Sequence, residues 1–286
     1  MKLVRFGNRG CENPGILDSD GIIRDLTGIV ADIGADVISP RGLTRLADMN
    51  LASLPVVDGN VRLGPCVAGV GKLMCIGLNY KEHVREAGMQ TPAEPVLFGK
   101  FPSALAGAND NLVIPHDATK TDWEVELAVV IGSPGKYIPR DRALSHVAGY
   151  CVVNDVSERA WQLEGTGQWV KGKSGDGFAP TGPWLVTTDE ITDPQNLDLW
   201  LDLDGERRQN GNTRDMVFPV DELISYLSRF FTLYPGDIIS TGTPPGVGMG
   251  HKPEPEYLHP GQILRLGVTG LGEQVQHTIA EVDCNP

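Results

Sequence analysis

One stretch of the chain, residues 122–159, constrains the fold more strongly than any other. It contains two apolar runs, LAVVI and YCVV, which are typical of buried β-strands. Residues two apart on a strand share a face, so Glu124 and Glu126, at the start of the first run, are expected to project together. Asp155 closely follows the second run. The stretch therefore predicts three carboxylates that converge at one point of a sheet.

Three carboxylates beside apolar surface repel one another strongly unless a cation lies between them. Oxygen ligands suit a hard divalent cation such as Mg²⁺, Mn²⁺ or Ca²⁺. Acidic residues that alternate with apolar residues are also typical of an exposed strand whose acids face water. The spacing by itself leaves both interpretations open.

Charge and hydropathy exclude several classes of protein. The 286 residues carry a net charge of −13, and the pI is about 4.8, which argues against a surface for nucleic acid or anionic membranes. A small anionic substrate stays compatible, because a metal or a few basic residues can reverse the field inside a pocket. No apolar run approaches the ~18 residues of a membrane span, and the first residues lack a signal-peptide core. We expect a cytoplasmic protein.

Cysteine usage agrees with a reducing compartment. The five cysteines, at positions 11, 66, 75, 151 and 284, are irregularly spaced. No CxxC pair occurs, so neither a disulfide framework nor a zinc finger is predicted.

The 35 glycines and 21 prolines favour many short strands joined by tight turns. The first residues predict a strand at 2–6 and a hairpin that turns at 18–21. We therefore expect a small β-rich N-terminal domain at 1–65 and a main domain at 66–286.

The segment NYKEHVREAG carries the signals of a short helix. Asn79 is a candidate N-cap and Gly88 a candidate stop. On such a helix His83 and Glu86 lie three residues apart and share a face. A carboxylate next to an imidazole orients the ring and raises its basicity, which suits a general base near neutral pH. A solvated surface pair is the alternative that this spacing leaves open.

Basic and amide side chains follow in two further segments. SERAWQL predicts a helical turn with Arg159 and Gln162 on one face. Lys171 and Lys173 are predicted to lie in a Gly-rich loop, KGKSGDG, which is either a flexible basic loop or part of an anion-binding pocket. The motifs of P-loops, dinucleotide sites, serine hydrolases and two-histidine zinc sites do not occur. The chain thus offers acids for a metal, a histidine and a lysine, and little for covalent catalysis.

Residues 70–282 resemble the fumarylacetoacetate hydrolase family. The resemblance depends on six motifs that follow the family's order: GLNYKEHVREAG, EPVLFGKFPSAL, DWEVELAVVIG, GYCVVNDVSERAWQ, KGKSGDGFAPTGPWL and GDIISTGTPPGVG. It implies an α+β fold, a β-rich mixed β-sandwich roll of the family's C-terminal domain type, with a small β-rich N-terminal domain. It also implies a homodimer or a larger homo-oligomer.

The resemblance further implies a role for each candidate site residue. The ligands of Mg²⁺ or Mn²⁺ are Glu124, Glu126 and Asp155. The catalytic residues are His83, Glu86 and Lys173. The substrate-binding residues are Lys100, Arg159, Gln162 and Thr243. Among these, the histidine and its glutamate are expected to activate water, and the threonine is expected to anchor a substrate carboxylate.

Within the family, the pattern from NDVSERAWQ to GPWLVT resembles bacterial sugar-acid enzymes, the 2,4-diketo-3-deoxy-L-rhamnonate and L-fuconate hydrolases. This implies hydrolysis of the C3–C4 bond of such a diketo acid in non-phosphorylative sugar catabolism, giving pyruvate and a hydroxy acid such as lactate. Gly175 and Gly177 depart from that pattern beside Lys173, which leaves the substrate open. Ureidoglycolate lyase, oxaloacetate decarboxylase and acylpyruvate hydrolase activities on the same site are alternatives, and so is a non-catalytic binding protein.

Overall fold

Strands make up most of the regular structure in this computed structural model, which describes residues 1–282. The strands are β1 (Lys2–Phe6), β2 (Asn13–Leu17), β3 (Ile23–Asp25), β4 (Leu73–Gly77), β5 (Val96–Lys100), β6 (Leu105–Ala106), β7 (Leu112–Ile114), β8 (Thr121–Asp122), β9 (Val125–Ile131), β10 (Val147–Asn154), β11 (Ser157–Glu158), β12 (Ala179–Thr187), β13 (Asp198–Leu203), β14 (Glu206–Asn212), β15 (Ile238–Ser240), β16 (Ile263–Val268) and β17 (Gly272–Ala280). The helices are α1 (Ala35–Ile38), α2 (Pro40–Ala47), α3 (Lys81–Glu86), α4 (Arg159–Leu163), α5 (Trp169–Lys173) and α6 (Val220–Leu227).

The two apolar runs form central strands of the largest sheet. Its strand order is β3-β2-β1-β12-β10-β9-β15-β4-β5, and β6 pairs with β12 at the side. Every residue of β9 and β10 is buried, as the runs predict. The two strands are antiparallel and pair Val125 with Asn154. This register places Glu124, just before β9, next to Asp155, just after β10.

A second sheet packs against the first sheet near this centre. Its strand order is β14-β13-β16-β17-β7, and β13 and β16 contact β9 across the interface. Residues alternate along β13, so Leu199, Leu201 and Leu203 are buried between the sheets. The fold is therefore α+β and strand-rich, with mixed sheets and few helices, as the sequence predicts.

The N-terminal segment joins the largest sheet through one strand pair. β1 pairs with β12 in the antiparallel sense. β2 and β3 form the predicted hairpin, in which the Gly21 N–H donates to the Asp18 carbonyl. Because these strands continue the sheet of the larger part, the boundary near residue 65 stays a prediction.

The structure also bears on membrane-spanning helices and on the state of the cysteines. Between residues 1 and 282, no helix has the length and apolar character needed to cross a bilayer. Cys11, Cys66, Cys75 and Cys151 are free thiols. Cys284 lies outside the described residues.

Helix α3 forms as predicted, but its first turn is capped differently. Tyr80 occupies the N-cap position and makes no side-chain capping bond. The Asn79 side chain instead donates to the carbonyls of Phe218 and Thr241 and accepts from the Phe218 N–H. The predicted Asn79 cap is wrong because this buried amide satisfies three backbone groups of distant segments.

Lys173 lies at the end of helix α5, so its prediction as a loop residue is wrong. The glycine that suggests a loop, Gly172, is buried where α5 meets α4. A Cβ at this position would lie 2.4 Å from the Glu158 carbonyl oxygen and 2.5 Å from the Gln162 nitrogen. Gly172 therefore permits the two short helices to pack closely, which holds Lys173 in place.

Arg62 links the N-terminal segment to the larger part of the chain. It donates from Nε and Nη2 to both oxygens of Asp110, at 2.6 and 2.7 Å, and from Nη1 to Glu12 at 2.9 Å. Burial alone would raise the pKa of both carboxyls, but the hydrogen bonds from Arg62, together with backbone N–H bonds and nearby arginine charges, outweigh this effect. The pKa of Asp110 and the pKa of Glu12 therefore lie below their ordinary values.

We expect Arg62→Gln to lower the free energy of unfolding by about 1–2 kcal/mol at neutral pH. Carboxyls with lowered folded-state pKa values contribute stability above their unfolded pKa of about 4, and this stability is lost as the pH falls through the folded-state pKa. The difference between wild type and variant should therefore shrink below about pH 4. Urea unfolding across this range measures it. Arg85→Gln removes an exposed ion pair and should change little; a pH-independent difference for Arg62→Gln would contradict the assignment.

Candidate active site

The three predicted carboxylates converge in the structure. One oxygen from each of Glu124, Glu126 and Asp155 lies within 4.8 Å of the others, and all three side chains are buried. The pairing of β9 with β10 produces this arrangement, since the Asp155 N–H donates to the Glu124 carbonyl at 2.8 Å. The alternative of an exposed acidic strand is therefore excluded.

Cationic side chains surround two of these carboxylates. Lys173 Nζ lies 2.8 Å from Glu124 Oε2 and 2.7 Å from Asp155 Oδ2. Arg159 Nη2 lies 2.7 Å from Glu124 Oε1, and Lys100 Nζ lies 2.6 Å from Asp155 Oδ1. Burial alone would raise the pKa of Glu124, but the charges of Lys173 and Arg159 lower it below the ordinary range. Glu124 is therefore ionised, and the ion pairs hold both carboxylates in position.

Glu126 is the carboxylate of the cluster that pairs with no cationic side chain among residues 1–282. Its Oε2 accepts hydrogen bonds from the Ser240 hydroxyl at 2.5 Å and from the Gly242 N–H at 2.8 Å. Burial, followed by the charges of Asp155 and Glu124, raises the pKa of Glu126 well above its ordinary value. A negative charge on Glu126 is therefore unfavourable in this cluster unless a further cation lies next to it.

The donor set fits a divalent metal ion. Three carboxylate oxygens, with no sulfur or nitrogen ligand in the cluster, are typical of Mg²⁺ and Mn²⁺ sites. A buried carboxylate is costly unless a cation compensates it, and Glu126 is in that position. Glu124, Glu126 and Asp155 are the residues that would hold the ion.

The histidine–glutamate pair also forms as predicted. His83 Nδ1 lies 3.1 Å from Glu86 Oε2. The other oxygen of Glu86 accepts the Gly246 N–H at 2.9 Å, so the loop after β15 holds the glutamate in place. With Nδ1 as the donor to Glu86, His83 Nε2 is the nitrogen that can accept a proton. The geometry thus suits a general base with an oriented ring.

One cavity of about 240 Å³ connects the histidine to the carboxylates. Its polar lining side chains are His83, Glu124, Glu126, Arg159, Gln162, Lys173 and Thr243. Glu86 contacts His83 from behind this lining, and Asp155 contacts Lys173. The fold therefore brings together residues that the sequence scatters over 160 positions, from 83 to 243. Their individual catalytic and binding roles stay predictions.

Asp122 is a site residue that the sequence patterns do not single out. Its Oδ2 accepts from Arg159 Nε at 2.8 Å, and its Oδ1 accepts the Gly248 N–H at 2.7 Å. Arg159 Nη1 donates to Gln162 Oε1 at 3.0 Å, which confirms the predicted shared face of helix α4. Asp122 stands two residues before Glu124 in the same alternation of acidic and apolar residues. This spacing is the sequence feature that could have identified it as a site residue.

Two of the predicted substrate-binding residues, Lys100 and Thr243, already form hydrogen bonds with other groups of the protein. Lys100 Nζ donates to Asp155 and to two backbone carbonyls, at 2.6, 2.9 and 2.6 Å, which uses all three of its protons. The Thr243 hydroxyl donates to a β9 carbonyl at 2.9 Å and accepts from Gln209 at 2.8 Å. In this structure Lys100 positions Asp155, and Thr243 ties its loop to β9. Their contacts with a substrate stay predictions.

Known proteins resemble this chain over nearly its whole length. The family model for the fumarylacetoacetate (FAA) hydrolase C-terminal domain matches residues 72–279. A Burkholderia multivorans protein, whose name assigns it provisionally to the hydrolases, is 61% identical over 280 residues, 98% of this chain and 99% of the relative. The fumarylacetoacetate hydrolase of the psychrophile Exiguobacterium antarcticum is 36% identical, with a TM-score of 0.87 over 98% of this chain and all (100%) of that chain.

A further similar structure is a complex with ligands. The maleylpyruvate hydrolase of Sphingobium sp. SYK-6, in complex with manganese(II) ion and pyruvate, is 29% identical, with a TM-score of 0.82 over 99% of this chain and 100% of that chain. The family model spans the region that holds every candidate site residue. The chain therefore belongs to the fumarylacetoacetate hydrolase family.

Proposed function

We propose that this protein is a metal-dependent hydrolase that cleaves the C3–C4 bond of a 2,4-diketo acid to pyruvate and a second carboxylic acid. The observation that carries the proposal is one cavity that contains both a three-carboxylate cluster and the oriented histidine His83. The solved maleylpyruvate hydrolase with manganese(II) ion and pyruvate supports it, because pyruvate is the product expected from such a cleavage.

Glu124, Glu126 and Asp155 would bind Mg²⁺ or Mn²⁺. When bound, the ion supplies a Lewis acid that stabilises negative charge on substrate oxygens. Lys173, held between Glu124 and Asp155, adds a fixed positive charge next to the cluster. Arg159 is held by Asp122, so its guanidinium also has a defined direction. This end of the cavity is therefore suited to an anionic head group in spite of the protein's net negative charge.

His83 is the base in the proposed reaction. Its Nε2 takes a proton from water while Glu86 stabilises the charged ring. The water oxygen bonds to C4, the C3–C4 bond breaks, and its electron pair passes into a pyruvate enolate. The proton returns from His83 to C3, so one water is consumed and the two products are pyruvate and the acid that contains C4. Lys173 lies close enough to the cluster to stabilise the oxyanion formed at C4.

Oxygen-18 labelling tests the reaction type. In ¹⁸O-water, we expect the acid formed from C4 to gain one heavy oxygen in its carboxylate, read by mass spectrometry. A lyase or decarboxylase reaction places no water oxygen in that group. The unlabelled acid product, incubated with enzyme in the same water, controls for exchange. Cleavage without label in the C4-derived acid would contradict hydrolysis.

A panel of candidate substrates tests which compound the enzyme cleaves. The first member is 2,4-diketo-3-deoxy-L-rhamnonate, the sugar acid that the sequence suggests, and oxaloacetate and ureidoglycolate are the alternatives. Pyruvate formation in a coupled assay with Mg²⁺ or Mn²⁺ reports cleavage. We expect 2,4-diketo acids to be cleaved and ureidoglycolate to be inert; no turnover of any diketo acid would contradict the proposed function.

We also propose that the protein works as a homodimer or a larger homo-oligomer, as the family resemblance implies. Strand β5 is one of the two edge strands of the largest sheet in the described chain, and Leu97 and Phe101 are exposed on and next to it. Unpaired edges with exposed apolar side chains favour association with another chain. Light scattering of the purified protein measures the mass in solution, and a monomer would contradict the proposal.

A further inference from the structure

The catalytic cavity has a second, apolar half. Beyond the polar residues of the carboxylate cluster and the histidine, the lining consists of side chains without a charge. We call this set the apolar wall; it comprises Ile76, Leu78, Ala87, Met89, Phe98, Leu163, Trp169 and Met249. Met89 and Leu163 are 54% and 44% exposed, so the wall reaches from the buried cluster to solvent.

The aromatic part of the wall is built into the fold. Trp169, the first residue of α5, packs directly on Gly77, where a Cβ would lie 2.6 Å from the indole ring. Its ring meets Phe98 edge to face, with centroids 5.2 Å apart. Phe98 in turn lies 5.0 Å from Lys173 Nζ. The apolar wall therefore starts at the catalytic lysine and is continuous with the reaction site.

Leu78 contributes to the wall at the cost of backbone strain. Its φ angle is +56°, a left-handed conformation that leucine rarely adopts. The side chain is buried and lines the cavity. Glycine or asparagine would occupy this backbone more easily, so a leucine here indicates that an apolar side chain is needed at the cavity.

Two polar side chains near the wall, Arg159 and Thr243, are already bonded to the protein. Arg159 donates to Asp122 and Gln162. The Thr243 hydroxyl is engaged by β9 and Gln209. A hydroxyl group on a bound tail would lose water, and these two side chains are not free to replace it, which disfavours binding. Gly175 and Gly177, the departures beside Lys173, do not line the cavity.

We infer that the preferred substrate is a 2,4-diketo acid whose group beyond C4 is an apolar alkyl or aryl tail, and that the apolar wall is its binding site. The inference depends on the proposed function for the position of the head group. It differs from the sugar-acid expectation in the chemistry of the tail alone. The head group still lies at the carboxylate cluster and the tail contacts Leu78, Phe98 and Trp169.

A matched pair of substrates tests the tail. 2,4-Dioxohexanoate has an ethyl tail, and 2,4-diketo-3-deoxy-L-rhamnonate has the same tail with one added hydroxyl group. We expect kcat/KM to be roughly tenfold higher for the ethyl compound and to rise roughly fourfold per added methylene up to 2,4-dioxononanoate. Equal or higher kcat/KM for the hydroxylated compound would overturn the inference while leaving the proposed function intact.

A substitution in the apolar wall tests whether the wall causes the preference for an apolar tail. Leu78→Asn suits the left-handed backbone and places an amide in the wall. We expect the ratio of kcat/KM between the ethyl and the hydroxylated compounds to fall at least threefold. Leu144→Asn makes the same change at an exposed leucine outside the cavity and should leave this ratio unchanged. An unaltered ratio in Leu78→Asn would contradict the role of the wall.

A binding measurement separates this inference from the proposed function. 2-Oxo acids with unbranched tails, from pyruvate to 2-oxooctanoate, have the same head group but cannot undergo C3–C4 hydrolysis. Isothermal titration in the presence of Mn²⁺ should give tighter binding for the longer tails. Failure to cleave any diketo acid, together with this trend, would refute the hydrolase and keep the apolar site. Affinity that does not change with tail length would refute the apolar site.

Discussion

Chelator treatment is expected to abolish turnover, and Glu126→Gln is expected to lower kcat/KM at least about a hundredfold. Glu126 is the cluster carboxylate without a cationic partner in the described chain, so a bound metal ion compensates its charge most directly. The substitution removes this charge but leaves the ion pairs of Glu124 intact. An amide oxygen at position 126 still accepts from Ser240 and Gly242, as the carboxylate does. The free energy of unfolding of the metal-free protein should therefore not fall.

Calorimetric titration with Mn²⁺ and thermal unfolding with and without the ion measure the site independently of catalysis. The Tm of the wild type should rise with added Mn²⁺, and the Tm of Glu126→Gln should rise much less. Glu206→Gln, a matched change at an exposed residue of β14, should behave like the wild type. Full activity of the chelated enzyme, or an unchanged response of Glu126→Gln to Mn²⁺, would contradict the metal site.

Glu124→Ala is a less informative variant of the same cluster. Glu124 lies between Arg159 and Lys173, at 2.7 and 2.8 Å. Its removal would leave two buried cations with one partner fewer, which costs roughly 3–5 kcal/mol. Lost activity in Glu124→Ala would therefore combine loss of the metal ligand with loss of stability, whereas Glu126→Gln separates them.

His83→Ala should lower kcat by a factor of about 10²–10⁴ and leave Mn²⁺ affinity unchanged. His83 lines the cavity but is not one of the clustered carboxylates, so the loss falls on the chemical step. Glu86→Gln should reduce kcat by a smaller factor, about tenfold, because Glu86 acts on the ring through one hydrogen bond. Steady-state kinetics on a cleaved diketo acid measures both.

The exposed histidine of β17 provides a control for this prediction. His277→Ala removes an exposed imidazole that does not line the cavity, so it should leave kcat unchanged. Titration with Mn²⁺ should give the same affinity for the wild type and His83→Ala. A His83→Ala variant with wild-type kcat, or one that loses Mn²⁺ binding, would contradict the role of His83 as the base.

Local patterns in the sequence predict the parts of the fold that burial alone dictates. The runs around Val129 and Val152 are apolar on both faces, and they become the buried strands β9 and β10. The turn at Asp204 and Gly205 joins β13 to β14 with φ angles of +52° and +85°, a conformation that an Asp-Gly pair favours. Such features depend on near neighbours, so they can be read from a single chain segment.

Local sequence patterns give wrong predictions where contacts with distant segments determine the role of a residue. Asn79 has the chemistry of a helix cap, but its side chain bonds to Phe218 and Thr241, more than 130 positions away. Gly172 has the character of a loop residue, but it permits close packing of α5 on α4. In both cases a tertiary contact replaces the local interaction that the residue type favours, because burial makes the tertiary hydrogen bond or contact obligatory.

The sequence by itself determined the acid residues of the carboxylate cluster, the His83–Glu86 pair and the shared face of Arg159 with Gln162. Each of these depends on spacing within one strand or helix, or on one strand pair. Only the tertiary structure decided that Lys100 and Asp122 support the site from behind, that Glu126 lacks a cationic partner in the described chain, and that an apolar wall completes the cavity. The wall combines residues of β4, β5, α4 and α5 with their loops, and no periodicity along the chain records which segments meet in space.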